Sequence, residues 1–401
     1  MTSLKDKLLN IHNRLGSLTL ALSLLSSTAG AADKPKEKAT DTTSFQSIFS
    51  ERRRSESQQK RQRTNTSVMG IRGLDSDRDA EAKALAASNM RAVYEMEDRI
   101  ANPDTVEQIK KSLASHKPNS TGTQVIPVVE NTKASDEELR GEIELGRKMA
   151  AQVLGANAPW ENSAVQDYLN ALAQVIASSG MKATRPFRVA ILETNKVNAF
   201  ACPGGYLFLT RGALKAARSE DQLAALLGHE IAHVSQRHLL TSMQKKFNKP
   251  ETPKKSQAYV SPVNDSLESR KRIKPERQEA NSQWASILGP KGVGLTLLQA
   301  SSEALETLLS KGLDHKFELE ADTMGVQASA ATGFRAESFA DFLNLMIARK
   351  SNTNDVTSTT HPPYSERLQN LSRFLENINI AKNATEINSQ LFLKMQGEWL
   401  R

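Results

Sequence analysis

A single cysteine, Cys202, excludes an internal disulfide and any cysteine-rich metal site in this 401-residue chain. Set in an apolar stretch, it reads as a small packing residue and not as a nucleophile. Aromatic residues are few as well, at 5%. The basic blocks Arg52-Arg53-Arg54 and Lys60-Arg61-Gln62-Arg63 have none interleaved, so the formal net charge of +8 does not come with the features of a nucleic-acid groove. That charge suits an anionic membrane surface or outer-membrane components instead, and no nucleic-acid partner is expected. Also missing is any apolar run near the ~18 to 20 residues that span a bilayer. The run at 15–25 is short; it follows Lys5, Lys7 and Arg14 and precedes Ala29-Gly30-Ala31, the pattern of a cleaved signal peptide over residues 1–31. No cysteine stands at the cleavage point, so the mature chain is expected in a bacterial periplasm and not as a lipoprotein. The glycines at 289, 292 and 294 lack the Gly-Lys-Ser/Thr ending of a phosphate loop.

What the chain does have is His229-Glu230-Ile231-Ala232-His233. On a helix, positions i and i+4 share a face, so the two imidazoles can converge on one zinc ion, with Glu230 beside them as a general base. Ser219-Glu220-Asp221-Gln222 reads as a capping box, and Leu223, Leu226, Leu227 and Val234 recur at helical spacing. The pentapeptide therefore falls well inside an amphipathic helix. Two histidines and a water leave one ligand to find. Glu318 is the candidate, four residues before Asp322, which suits a metal-binding carboxylate paired with one that accepts the spare N–H of a ligand histidine. Gly325 inside the same helix points to a close helix crossing.

The order Asn198-Ala199-Phe200-Ala201-Cys202-Pro203-Gly204-Gly205-Tyr206, His229-Glu230-Ile231-Ala232-His233, Glu318-Leu319-Glu320-Ala321-Asp322, and His361-Pro362-Pro363 with Arg367 resembles the HEXXH gluzincin peptidase family. That family includes the HtpX, CAAX-processing, BepA and LoiP proteases. The likeness covers roughly residues 136 to 375 and is greatest to the soluble periplasmic members, without a C-terminal helical-repeat domain. It implies one zinc per chain held by His229, His233 and Glu318, with Glu230 as the base. It also implies an α+β, mainly helical, zincin-like domain with a small β-sheet beside the active-site helix.

His361 and Arg367 are candidate catalytic donors to the developing oxyanion, and by the resemblance His361 could instead cap the zinc and block the water site. His238, five residues past His233, is expected to point away from the metal on a continuing helix. Residues 187–192 and 198–210 read as strands around a Pro-Gly-Gly turn. Asn198, Ala199 and Phe200 are the candidate substrate-binding residues, pairing with a substrate backbone as an added strand. Such pairing tolerates many sequences and favours unfolded polypeptide.

The expected organisation is a signal peptide at 1–31, a disordered basic segment at 32–75, a helical extension and linker at 76–135, and a peptidase domain at 136–401. A polar insertion interrupts that domain at about 245–283. The expected activity is zinc-dependent endoproteolysis of misfolded or unfolded envelope proteins, with outer-membrane assembly components as further partners. The alternative is a periplasmic chaperone or adaptor whose peptidase site is latent.

Overall fold

Periodic Ala- and Leu-rich segments with few aromatics favour helices, and helices dominate the chain, with three short strands set among them. The computed structural model describes residues 76–115, 134–248, 297–352, 361–377 and 387–401. The expected signal peptide, the basic segment at 32–75 and positions 249–283 of the expected insertion lie outside the described residues.

Residues 76–115 form two helices, α1 (Ser76–Asp98) and α2 (Pro103–Ser115). The break has a local cause. Asn102 Oδ1 accepts from Asp104 N at 2.9 Å, and Pro103 occupies the first helical position, where its missing N–H costs nothing. A full capping box opens α3 (Asp136–Ala156): Ser135 Oγ accepts from Glu138 N at 3.2 Å, and Glu138 Oε2 accepts from Ser135 N at 2.8 Å. Asn162 caps α4 (Ser163–Val175).

The sheet follows, with β1 (Arg188–Leu192), β2 (Ala199–Cys202) and β3 (Tyr206–Thr210) in the order β1-β3-β2. β1 runs parallel to β3, and β2 pairs antiparallel with β3, Phe200 opposite Phe208. The turn between β2 and β3 needs φ of 78° at Gly204 and 93° at Gly205, values that only glycine adopts without strain. Alternation along the strands divides the core in two. Val189, Ile191, Ala201, Leu207 and Leu209 join the cluster built with α4 and the later helices. Ala190, Phe200, Cys202, Tyr206 and Phe208 face α1 and α3.

The remaining helices are α5 (Arg211–Ala216), α6 (Glu220–Ser235), α7 (His238–Asn248), α8 (Leu297–Glu306), α9 (His315–Thr332), α10 (Ser338–Asn352), α11 (Tyr364–Asn377) and α12 (Gln390–Leu400). α6 carries the His229–His233 motif and is buried along its whole length. Its expected polar side therefore faces protein, not water. α9 crosses it where Gly228 meets Gly325: a Cβ on Gly325 would lie 2.5 Å from His229 N and 2.8 Å from Gly228 C, so backbone touches backbone. This is the close crossing that Gly325 predicts.

α1 packs on α3 through charge. Buried Glu97 accepts from Arg147 Nε at 2.8 Å and from the Tyr206 hydroxyl, and its carbonyl accepts from Arg188 Nε at 3.1 Å. The outer edge of β1 is covered: Ile191 O accepts from Trp160 N at 2.8 Å, and Val189 N donates to Asn170 Oδ1 at 2.9 Å. Among the described residues no strand pairs with the outer edge of β2.

Candidate metal centre

α6 is anchored at its start by side chains. Ser219 Oγ accepts from Gln222 N at 3.3 Å and Gln222 Oε1 accepts from Arg218 N at 2.9 Å. Glu220 and Asp221 sit where the helix dipole favours acids, yet both are buried and hold remote chain. Glu220 accepts from the Tyr168 hydroxyl at 2.8 Å and from Ser389 N at 2.9 Å. Asp221 accepts from Arg335 N at 2.8 Å and from Ile387 N.

From that fixed start, helical phase brings His229 and His233 to one face, their Nε2 atoms 3.1 Å apart. Glu318, in the first turn of α9, places Oε2 3.8 Å from His229 Nε2 and Oε1 3.6 Å from His233 Nε2. His361 enters from the segment before α11, with Nδ1 against Glu318 Oε2. His229, Glu318 and His361 each offer a ligand atom within 4.8 Å of the others.

Asp322, one turn beyond Glu318, lies with Oδ1 2.8 Å from His229 Nδ1. That contact holds the proton on Nδ1 and turns the lone pair of Nε2 toward Glu318. Arg367 then holds Asp322, Nη2 to Oδ1 at 2.6 Å and Nε to Oδ2 at 2.9 Å. The sequence pointed Arg367 at a substrate oxygen; its bidentate fork is instead engaged by the carboxylate behind His229. The Phe339 ring lies tilted beside His229, centroids 5.6 Å apart.

His238 departs from expectation. α6 ends at Ser235, and Arg237 takes a left-handed φ of 56°. The chain thereby restarts as α7 with the His238 ring turned back, Nδ1 3.1 Å from His233 Nδ1, stacked on Phe317 at 4.6 Å. Burial pushes His238 down to about 4, so its ring is neutral, and in the tautomer with the proton on Nε2 it accepts at Nδ1. It can do so only when His233 carries its proton on Nδ1, which leaves His233 Nε2 as a lone pair. Helical periodicity could not show this, because the phase is reset by one residue.

Burial dominates the electrostatics. It lowers both ligand histidines, His233 most, and pushes Glu230 up to about 8, aided by the charge of Glu318. It acts upward on Asp322 as well, but the Arg367 charge overrides it and holds the carboxyl down at about 2. The donor set is thus two neutral imidazoles and one carboxylate. Ligand bonds of ~2.0 to 2.1 Å in a tetrahedron imply edges of about 3.3 Å, and the 3.1, 3.6 and 3.8 Å separations bracket that length. The residues fit a zinc-type ion.

Residues 159–375, more than half the chain, match the peptidase family M48. The chain belongs to peptidase family M48. By class it is a metalloendopeptidase with a zincin-like fold. Among similar proteins, the Beta-barrel assembly-enhancing protease of Escherichia coli (strain K12) is 24% identical over 272 residues, 66% of this chain and 48% of that protein. The Putative beta-barrel assembly-enhancing protease of Vibrio cholerae serotype O1 is 27% identical over 221 residues, 54% and 40% of the two chains. The Mitochondrial metalloendopeptidase OMA1 of Schizosaccharomyces pombe is 40% identical over 67 residues, 17% and 20% of the two chains. This M48 chain thus spans about half the length of the first of these relatives.

The sheet brings the expected substrate-binding residues to the same cleft. Thr210 N donates to Asn198 O at 3.1 Å, so Asn198 and Thr210 form a hydrogen-bonded pair. Alternation then turns the backbone groups of Ala199 and Ala201 away from β3. Asn198, Glu230 and His361 line pockets on both sides of the centre, Phe200 one of them and Ala199 the other.

Proposed function

We propose that this M48 chain is a zinc-dependent endopeptidase that cleaves unfolded or misfolded polypeptides in the bacterial cell envelope. The observation that carries the reading is the His229, His233 and Glu318 donor cluster in one cleft with Glu230 and with the edge of β2, which no strand covers among the described residues. When bound there, zinc supplies a Lewis acid for a peptide carbonyl and an attacking water. The chain's own residues do the rest. The outward backbone groups of Ala199 and Ala201 bind an extended substrate as a fourth strand, which selects for polypeptide without a fold of its own. Glu230 takes a proton from water and passes it to the amine of the departing chain. Its upward shift matches the second task, and the Arg367 charge opposes the shift and suits the first. Asp322 and Arg367 act through His229 as positioning residues.

The envelope assignment rests on the signal-peptide pattern at 1–31, and among the described residues no helix is long and apolar enough to cross a membrane. The names of two relatives point to β-barrel assembly, and components of that process are the proposed partners. The proposed organisation is a peptidase domain from 136, a helical extension before it and a polar insertion at about 245–283, its first residues closing α7. One observation favours a second reading, a latent peptidase that serves as a chaperone or adaptor. His361 Nδ1 sits on Glu318 Oε2 and so competes for the third ligand.

The test is the purified protein on casein. About one zinc per chain, cleavage abolished by chelator and restored by zinc, and a Glu230→Gln variant that keeps its zinc but loses cleavage are expected. Metal-loaded protein that suppresses aggregation without cutting supports the latent reading. In that case His361→Ala should release activity, whereas a loss of roughly 10²-fold would make His361 an oxyanion donor.

A further inference from the structure

The two donors that the sequence offered for a developing oxyanion are engaged elsewhere. The Arg367 fork closes on Asp322, Nη2 to Oδ1 at 2.6 Å and Nε to Oδ2 at 2.9 Å, and His361 turns Nδ1 to Glu318. Tyr364 stands between them in the chain. Pro362 and Pro363 restrict the backbone that leads into it, and Pro363 O accepts from Glu366 N at 2.9 Å and from Arg367 N at 3.1 Å, so Tyr364 is held in the first turn of α11. There it shares a helix face with Arg367, three residues on. Arg367 reaches Asp322 and His361 reaches Glu318, both on α9, so the side of the chain that carries Tyr364 is the side turned to α9 and the cleft.

The surroundings agree. Tyr364 lines one pocket with Asn198, His229, Glu230 and His361, so it stands in the wall where the bond is cut. Its ring packs half-buried against the core. A tyrosine so placed ordinarily finds a partner for its hydroxyl. This hydroxyl has none among the described residues, and it is not shut away from water. Burial raises it above its ordinary value of 10, against the opposing Arg367 charge, so it keeps its proton at working pH and remains a donor.

We infer that Tyr364 is a further catalytic residue, its hydroxyl donating a hydrogen bond to the carbonyl oxygen of the cleaved amide as negative charge gathers there. No proton changes hands in this contact. The phenol keeps its own, and Glu230 alone carries the proton from water to the departing amine. The inference rests on the endopeptidase reading and adds to it the donor that the engagement of Arg367 with Asp322 takes away.

The test sets the ground state against the transition state. Zinc-loaded protein is titrated with a fluorescent Ala-Phe-Leu-Ala peptide, in the Glu230→Gln background so that it is not cut, and with its phosphinic analogue, in which a tetrahedral phosphinate replaces the central amide. Tyr364→Phe keeps the ring and removes only the hydroxyl. It should weaken the phosphinic peptide by about 10- to 100-fold, as for a hydrogen bond to a charged group. The amide peptide should bind as before, with zinc content and melting temperature unchanged. On a quenched form of the amide peptide, kcat should fall roughly 10²-fold while KM holds. Tyr364→Leu, which also removes the ring, should lower the melting temperature, and that loss reports packing. Unchanged phosphinate affinity in Tyr364→Phe overturns the inference. So does an equal loss for both peptides with a lowered melting temperature, the mark of a merely structural role, and so does a phosphinate-selective loss found in Asn198→Ala but not in Tyr364→Phe. A phosphinate-selective loss in Tyr364→Phe, together with failure of the native protein to cleave casein or the quenched peptide, supports the contact and overturns the endopeptidase reading alone.

Discussion

Replacing Arg367 by Leu tests the line of support that runs from α11 through Asp322 to His229. Arg367 and Asp322 are both buried, and the guanidinium makes two short bonds, 2.6 and 2.9 Å, to the carboxylate. Removing one member of such a pair leaves a buried charge behind and costs about 3 to 5 kcal/mol. In a domain of this size that lowers the melting temperature by roughly 10 °C. A second estimate comes from linkage. Asp322 is held down from its ordinary 3.8 to about 2, which corresponds to about 2 kcal/mol of stability. Because the folded-state value is depressed, that contribution is present above the unfolded value, near 4, and is lost as pH falls through about 2. The variant should therefore be less stable than wild type at pH 7, with the gap closing toward pH 2. Losing the cation that holds Asp322 against His229 should also weaken zinc by about 10- to 100-fold. Calorimetry across pH and chelator competition give these numbers. A variant with unchanged melting temperature and zinc affinity but reduced turnover would refute the argument and return Arg367 to the role of oxyanion donor.

Three further outcomes are expected. In zinc-free protein, Glu230→Gln should be more stable than wild type at pH 8 and equal to it near pH 4, because burial pushes Glu230 up to about 8 and the folded state resists losing that proton; parallel melting curves at all pH values would remove the shift. Gly325→Ala should cost about 1 to 3 kcal/mol, since its Cβ would lie 2.5 Å from His229 N, and should loosen zinc at the same time; denaturant melts and metal titration check both. Asp221→Ala strands the buried amides of Arg335 and Ile387 and should cost about 1 to 3 kcal/mol for each; hydrogen exchange rising selectively at those amides is the signature, and unaltered protection there argues against the clasp.

The parts of the site that were legible in the sequence are those set by local geometry. Ser219 and the apolar spacing define α6, and the four-residue spacings place His229 with His233 and Glu318 with Asp322 on shared faces. Gly325 predicts its crossing because nothing else excuses a glycine there. The break before Pro103 was also written locally, in Asn102-Pro103. Other features depend on where remote chain arrives. Glu220 and Asp221 look like dipole acids, whereas their partners stand up to 169 residues away. Arg367 looked like a free cation because nothing local ties it to Asp322. His238 and Arg237 were hidden by a left-handed residue that is neither glycine nor asparagine, so no composition signal marks the turn.

The contact between Gly228 and Gly325 acts as a gauge block. Because main chain meets main chain, the spacing between the two ligand-bearing helices does not depend on the rotamer or volume of any side chain. Drift elsewhere in the core can then alter how firmly the protein holds together without altering how far His229 stands from Glu318. Metal preference and stability become separately adjustable, and a scan of core substitutions should show melting temperature varying widely while zinc affinity stays level.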